Sequence, residues 1–173
     1  MIRTATTLNI PIYTTTQNAA RLGPTVSELA TLLPEQYKTE IDKTAFSMMV
    51  PQLTELITRQ ASADPSQNKP YRPVSVLMVG IETHVCVTQT ALDLLAMGHR
   101  VYLLVDGLSS CNAGERGIAI ERLRREGCIV TTSESVMFEL LGDAGSEHFK
   151  KVSGIIKEMK DETKAAVDTF CKL

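Results

Sequence analysis

The sequence predicts an α/β fold of three layers, α/β/α, around a mostly parallel sheet. Three observations predict it. Short apolar runs recur at Val74–Val79, Arg100–Val105 and Cys128–Thr131, and the first, rich in β-branched residues, reads as a strand buried on both faces. Segments with helical spacing of apolar residues alternate with these runs. Glycines stand where those segments stop, at Gly98, Gly127 and Gly142, as a helix terminus requires. Such alternation gives parallel strands joined by helical crossovers.

Taken in order, Met1 to Asn9 reads as the last turns of a helix, with Ile2 and Leu8 apolar. Ile10 to Thr16 is a strand pattern, β-branched and aromatic. Gln17 to Thr25 is a polar loop with the turn pair Gly23-Pro24. Pro24 to Leu33 is expected as a short helix begun by proline and stopped before Pro34. Glu40 to Lys43 is a short strand. Val50 to Gln60 is helical, with Pro51 tolerated at its start and Leu53, Leu56 and Ile57 on one face. Ala61 to Pro73 is a surface loop by composition. The central strand and its helix follow, with Val85, Leu92 and Leu95 as apolar positions. Arg100 to Val105 ends in Asp106-Gly107. Ala113 to Glu126 is a helix with Ile118, Ala119 and Leu123 inward. Cys128 to Thr131 is the last short strand. A helix begins at Ser133, with Val136, Met137, Leu140 and Leu141 as its apolar side. Ser146 to Lys160 is a final amphipathic helix. Residues 1–160 are read as a single domain and 161–173 as a polar tail.

Composition narrows the function. The 173 residues suffice for one domain with a full core. A hydrophobic content of 43% and a charged content of 22% are ordinary for a globular chain. Net charge is -2, with pI about 5.9, so there is no broad basic field and no nucleic-acid partner is expected. Aromatic residues make up only 5%, which leaves little to stack on bases. The four cysteines, Cys86, Cys111, Cys128 and Cys171, have neither CxxC nor metal spacing. They read as reduced thiols of an intracellular protein, cytoplasmic or mitochondrial. No apolar run approaches the ~20 residues of a membrane span, and Met1 to Ile10 carries no apolar signal core. No membrane contact is expected.

Cys86 carries the chemistry. It follows the carboxyl end of the central strand, where open α/β sheets bind ligands. It falls in the first turn of the expected helix, whose positive end favours thiolate. A lone cysteine in an apolar helix also serves as a small buried hydrophobe. The string GIETHVCVTQTA, Gly80 to Ala91, resembles the motif of the isochorismatase-like (cysteine hydrolase) superfamily. LGPTVSEL at Leu22–Leu29 and KTAFSM at Lys43–Met48 are similar to one subgroup of it. That subgroup holds the isochorismatase domain-containing proteins and the trypanosomatid relatives called mitochondrial-associated ribonucleases.

The resemblance implies a Rossmann-like, isochorismatase-like fold and an Asp-Lys-Cys triad. Cys86 would be the nucleophile, and Lys43 the cation that steadies the thiolate and a developing anion. The backbone N–H groups of Glu82 and Cys86 would form the oxyanion hole, and the Ile81–Glu82 peptide bond would be cis. Gln17 and Phe46 would line the substrate pocket, although Phe46 is equally well a core aromatic. The triad's Asp ends the family's first strand, which has no counterpart in this sequence. The expectation is therefore an N-terminally incomplete version of the family. The metal-binding members carry Asp-x-His in the loop that here reads TTTQNAARLGPT, so no metal and no cofactor are expected. His84 is expected at the pocket rim, and His99 and His148 on the surface.

The implied activity is hydrolysis of an unidentified small molecule at an amide or related C–N bond. The alternative is a catalytically silent oligomeric scaffold or binding protein of the same fold. A homo-oligomer, a dimer or larger, is expected in either case. Ribonuclease activity is not expected, for want of a basic stripe or a pair of histidines suited to phosphodiester cleavage.

Overall fold

The structure is a computed structural model and describes residues 1–38, 40–62 and 71–171. Most of the loop expected at Ala61–Pro73 lies outside the described residues. Parallel strands alternate with helices, as the sequence predicts. Strand β3 (Ser75–Gly80) pairs in parallel with β4 (Arg100–Leu108), and β5 (Ile129–Thr131) completes the order β3-β4-β5. A second sheet of two strands joins β1 (Thr15–Gln17) to β2 (Ile41–Lys43). The chain divides into two compact units, one of residues 1–42, 105–107 and 131–171, the other of 43–104 and 108–130.

In the first unit, α1 (Ile2–Thr7) packs on α8 (Phe149–Glu158). Met137, Leu141 and Val152 form a core cluster there, with Met1, Leu8, Phe149 and Ile156 against it. Met137 and Leu141 come from α7 (Ser133–Leu141), whose N-cap Thr132 accepts from the Ser135 N–H. The Asp106 carboxylate also accepts, at 2.8 Å, from the Ser133 N–H, one of the donors a helix start leaves unpaired. Leu140 is exposed. The strand expected over Ile10–Thr16 is confined to β1. Asp42 explains part of this local order: its carboxylate takes hydrogen bonds from Thr16 Oγ1 and from the Ala19 N–H, both 2.9 Å. The second bond caps a short helix, α2 (Ala19–Leu22), where a loop was expected. The helix expected over Pro24–Leu33 is reduced to the single turn α3 (Ser27–Ala30). The expected polar tail is helical over α9 (Lys160–Phe170), which buries no residue.

In the second unit, α4 (Pro51–Ala61) buries Leu53, Ile57 and Ala61. Leu56, expected inward, is exposed, because the face runs 53, 57, 61 at a spacing of four. Helix α5 (Thr88–Ala96) buries Ala91 and Leu94 beside Val87. Leu92 and Leu95, expected inward, are only partly buried, so the face is one residue out of phase with the expectation. Helix α6 (Ala113–Arg125) buries Arg116, Ala119, Ile120 and Leu123. Ile118, expected inward, is 69% exposed, since it lies off the 116, 119, 120, 123 stripe.

Two strands differ from expectation. In β3 only Met78 is buried, and Val79 is 48% exposed. The cause is position: β3 stands at the end of its strand order and has one neighbour there. Strand β4 runs past Asp106-Gly107 to Leu108. Met78 is paired with Leu103 but Gly80 with Leu108, so β4 carries extra residues against β3, as a bulge does.

Candidate active site

Cys86 lies in a single π-helical turn, Thr83–Val87, and not in the first turn of α5, which begins after it. Such turns are wider than an α-turn and recur at functional sites. The carbonyl of Glu82 accepts from the N–H groups of both Val85 and Val87, at 3.1 and 3.2 Å, and this sets the wide turn. The Ile81–Glu82 peptide bond, just before it, is cis. Gly80 sits at a φ of 135°, open to glycine and strained for other residues. Ile81 is exposed.

The turn is held from the side by the residues that leave β4. Ser109 N–H donates to Gly80 O at 3.2 Å, and Thr83 N–H donates to Ser109 O at 2.9 Å. Thr83 Oγ1 donates to the same oxygen at 2.8 Å. The Cys111 N–H donates to Glu82 Oε2 at 2.6 Å, and Ser110 Oγ lies 3.1 Å from His84 Nδ1. Behind Ser109, the Arg116 Nε–H donates to Leu108 O at 2.8 Å from a buried position on α6. Glu82, His84 and Cys111 thereby come together. Nothing in the sequence spacing joins Cys111 to the other two; only the parallel pairing of β3 with β4 does.

Lys43, which by type belongs on a surface, is 6% exposed. Its Nζ donates to the carbonyls of Ala45 and Phe46, both 3.0 Å away. The loop that supplies these carbonyls is fastened to α5. Met48 N–H donates to Thr90 Oγ1 at 2.8 Å, and Thr90 Oγ1 donates to Cys86 O at 2.6 Å. Ser47 Oγ donates to Asp93 Oδ2 at 2.6 Å. One hydroxyl, Thr90, therefore joins the loop around Lys43 to the backbone of Cys86. The hydroxyl of Thr88 bonds back to Thr83 O at 2.7 Å.

The other sequence-selected residues are placed as follows. Gln17 ends β1 and is half-buried. Phe46 is exposed, which removes the core-aromatic reading. His99 is buried at 4% exposure instead of lying on the surface, and neither ring nitrogen has a hydrogen-bond partner among the described residues. Burial holds its pKa below the usual histidine value. It follows the Gly98 turn, and its N–H caps α5 by donating to Leu94 O at 3.0 Å. Cys128 is buried, and desolvation pushes its thiol up to about 11. Cys111 is exposed, and Cys86 and Cys171 are half-buried, none of them in a disulfide.

Comparison with known proteins bears directly on this arrangement. The profile of the isochorismatase domain matches residues 1–135. The chain is 43% identical over 159 residues to the secreted isochorismatase effector Isc1 of Phytophthora sojae, covering 91% of this chain and 71% of that protein. It is 38% identical to isochorismatase domain-containing protein 2 of Xenopus laevis over 158 residues, 91% of this chain and 70% of the relative. Among solved structures, the MAR1 ribonuclease of Caenorhabditis elegans superimposes with a TM-score of 0.78 at 36% identity, covering 90% of this chain and 73% of that one.

Proposed function

The chain belongs to the isochorismatase family, and we propose that it is a cysteine hydrolase acting on a small molecule at an amide or related C–N bond. The reading is carried by the hydrogen-bonded link from the Lys43 loop through Thr90 to Cys86. It makes the cation's loop and the thiol's turn one construction, as a cooperating pair requires. The Cys86 thiolate attacks the carbonyl carbon and forms the C–S bond. The carbonyl π electrons move onto oxygen, where the N–H groups of Glu82 and Cys86 and the charge of Lys43 receive them. Collapse expels the nitrogen, which leaves as the amine after taking a proton. Water then cleaves the thioester and restores the thiol. In the family an Asp moves these protons, and no residue of this sequence is assigned that step.

Activity is to be sought with a panel of primary amides, and with isochorismate, whose hydrolysis the name of the Phytophthora relative suggests. Turnover that Cys86→Ala abolishes supports the reading. An unchanged rate in that variant defeats it. If no substrate turns over and Cys86 labels no faster than Cys111, the silent scaffold of the same fold is favoured. The name of the Caenorhabditis neighbour supports one further reading, ribonuclease activity. It is tested by incubating the protein with single-stranded RNA beside the Cys86→Ala control. Four cysteines outside any disulfide suit a reducing compartment, cytoplasmic or mitochondrial.

A further inference from the structure

We propose that Glu82, His84 and Cys111 form a binding site for a zinc-class divalent cation. One carboxylate oxygen, one imidazole nitrogen and the Cys111 sulfur all lie within 4.8 Å of one another. Glu82 Oε2 and His84 Nδ1 are 3.8 Å apart. Tetrahedral zinc, with bonds of about 2.0–2.3 Å, sets neighbouring ligand atoms roughly 3.3–3.7 Å apart. The cluster thus needs to close by at most about 1.5 Å at its widest. Cys111 is exposed and can supply that movement, whereas Glu82 and His84 are partly buried.

The donor set decides the kind of ion. A thiolate and an imidazole beside one carboxylate suit zinc, cobalt(II) or nickel(II), and not magnesium or calcium, which take oxygen. Three protein ligands leave a fourth position for water, the open form of a zinc site. The surroundings serve such a site. Ser110 Oγ lies 3.1 Å from the imidazole Nδ1, the nitrogen that faces Glu82, and gives up this hydrogen bond when the ion takes that nitrogen. The Ser109 bonds to Gly80 and Thr83 fix the backbones that carry the ligands. The site lies apart from the loop that carries Asp-x-His in the metal-binding members, and it runs against the sequence expectation of no metal. On binding, the Cys111 thiol gives up its proton to solvent and forms the metal–sulfur bond. The ion then staples the residues after β4 to the turn that carries Cys86.

The test uses the whole chain, freed of metal with a chelator and titrated with cobalt(II), which reports thiolate coordination by its near-ultraviolet charge-transfer absorption. One equivalent is expected to bind with that absorption. Cys111→Ser should abolish the band, and His84→Ala and Glu82→Gln should each weaken binding at least tenfold, as loss of a ligand does. Cys86→Ser should leave both intact. Zinc should raise the melting temperature of the unaltered chain but not of Cys111→Ser, because a ligand of the folded state stabilises it. Circular dichroism checks that each variant folds, and for a variant that does not, zinc protection of Cys111 from alkylation in the unaltered chain replaces it. Absence of a thiolate band, or a band that Cys86→Ser removes, overturns the proposal.

Discussion

Cys86, Lys43 and His99 show how far a residue's type is modified by its place. With a chelator present, Cys86 should alkylate faster near pH 7 than Cys111 despite lower exposure. Cys128 should be the slowest, being buried with a thiol pushed up to about 11. Mass spectrometry of partly labelled protein ranks them. Replacing Lys43 by Met removes the donor from the carbonyls of Ala45 and Phe46. The expected cost is about 0.5–1.5 kcal/mol of stability for each hydrogen bond lost, since Ala45 and Phe46 are exposed and water can take the donor's place, read by urea unfolding, together with loss of hydrolysis. His99 sets a pH dependence. Its folded pKa is lowered by burial, so between that value and about 6.5 the unfolded chain binds more protons than the folded one. Its contribution is therefore full above about 6.5 and is lost as the pH falls through the lowered value. In His99→Leu, urea midpoints should fall less steeply across that window than in the unaltered chain. The sequence singles out Cys86 and Lys43 because they sit in motifs. The burial of His99 is not legible there, because a polar residue after a helix-stopping glycine looks like a surface turn until the packing is known.

Among the elements, periodicity gave the helices their existence but not their phase. On α6 the sequence pointed to Ile118, yet Ile120 is fully buried and Arg116 lies on the same inward stripe. Ile120→Ala should cost about 2–5 kcal/mol, as large-to-small changes in a core do, and Ile118→Ala should stay within about 0.5 kcal/mol. Equilibrium denaturation of the two variants tests the assignment. Arginine misled the reading, because its buried guanidinium reaches Leu108 O and a pattern of apolar letters cannot register that. Strand β4 was cut short in the sequence for a similar reason. Asp106-Gly107 looks like a turn, but the chain there bulges and goes on to Leu108. The π turn was also hidden, since its wide loop depends on the Glu82 carbonyl taking two donors and not on side-chain spacing.

For the molecule as a whole, the parallel α/β class was plain, since alternation of elements is a property of the entire sequence. The residues that meet after folding were less so. Cys111 comes to Glu82 across 29 positions, a separation set by strand pairing and invisible to any local motif. Self-association belongs to this scale. Leu22, Val26, Leu29 and Leu32 are all exposed within one short stretch, the kind of surface on which a second copy would dock. Light scattering should give a mass that is a multiple of 19.0 kDa, and Leu29→Glu should lower it. A monomer in both cases removes the oligomer from the reading. The ladder that Ser109 and Cys111 make with Gly80, Glu82 and Thr83 has a kinetic corollary. The amide protons of Thr83, Ser109 and Cys111 should trade with heavy water at one shared rate, because none can be released unless the whole seam parts.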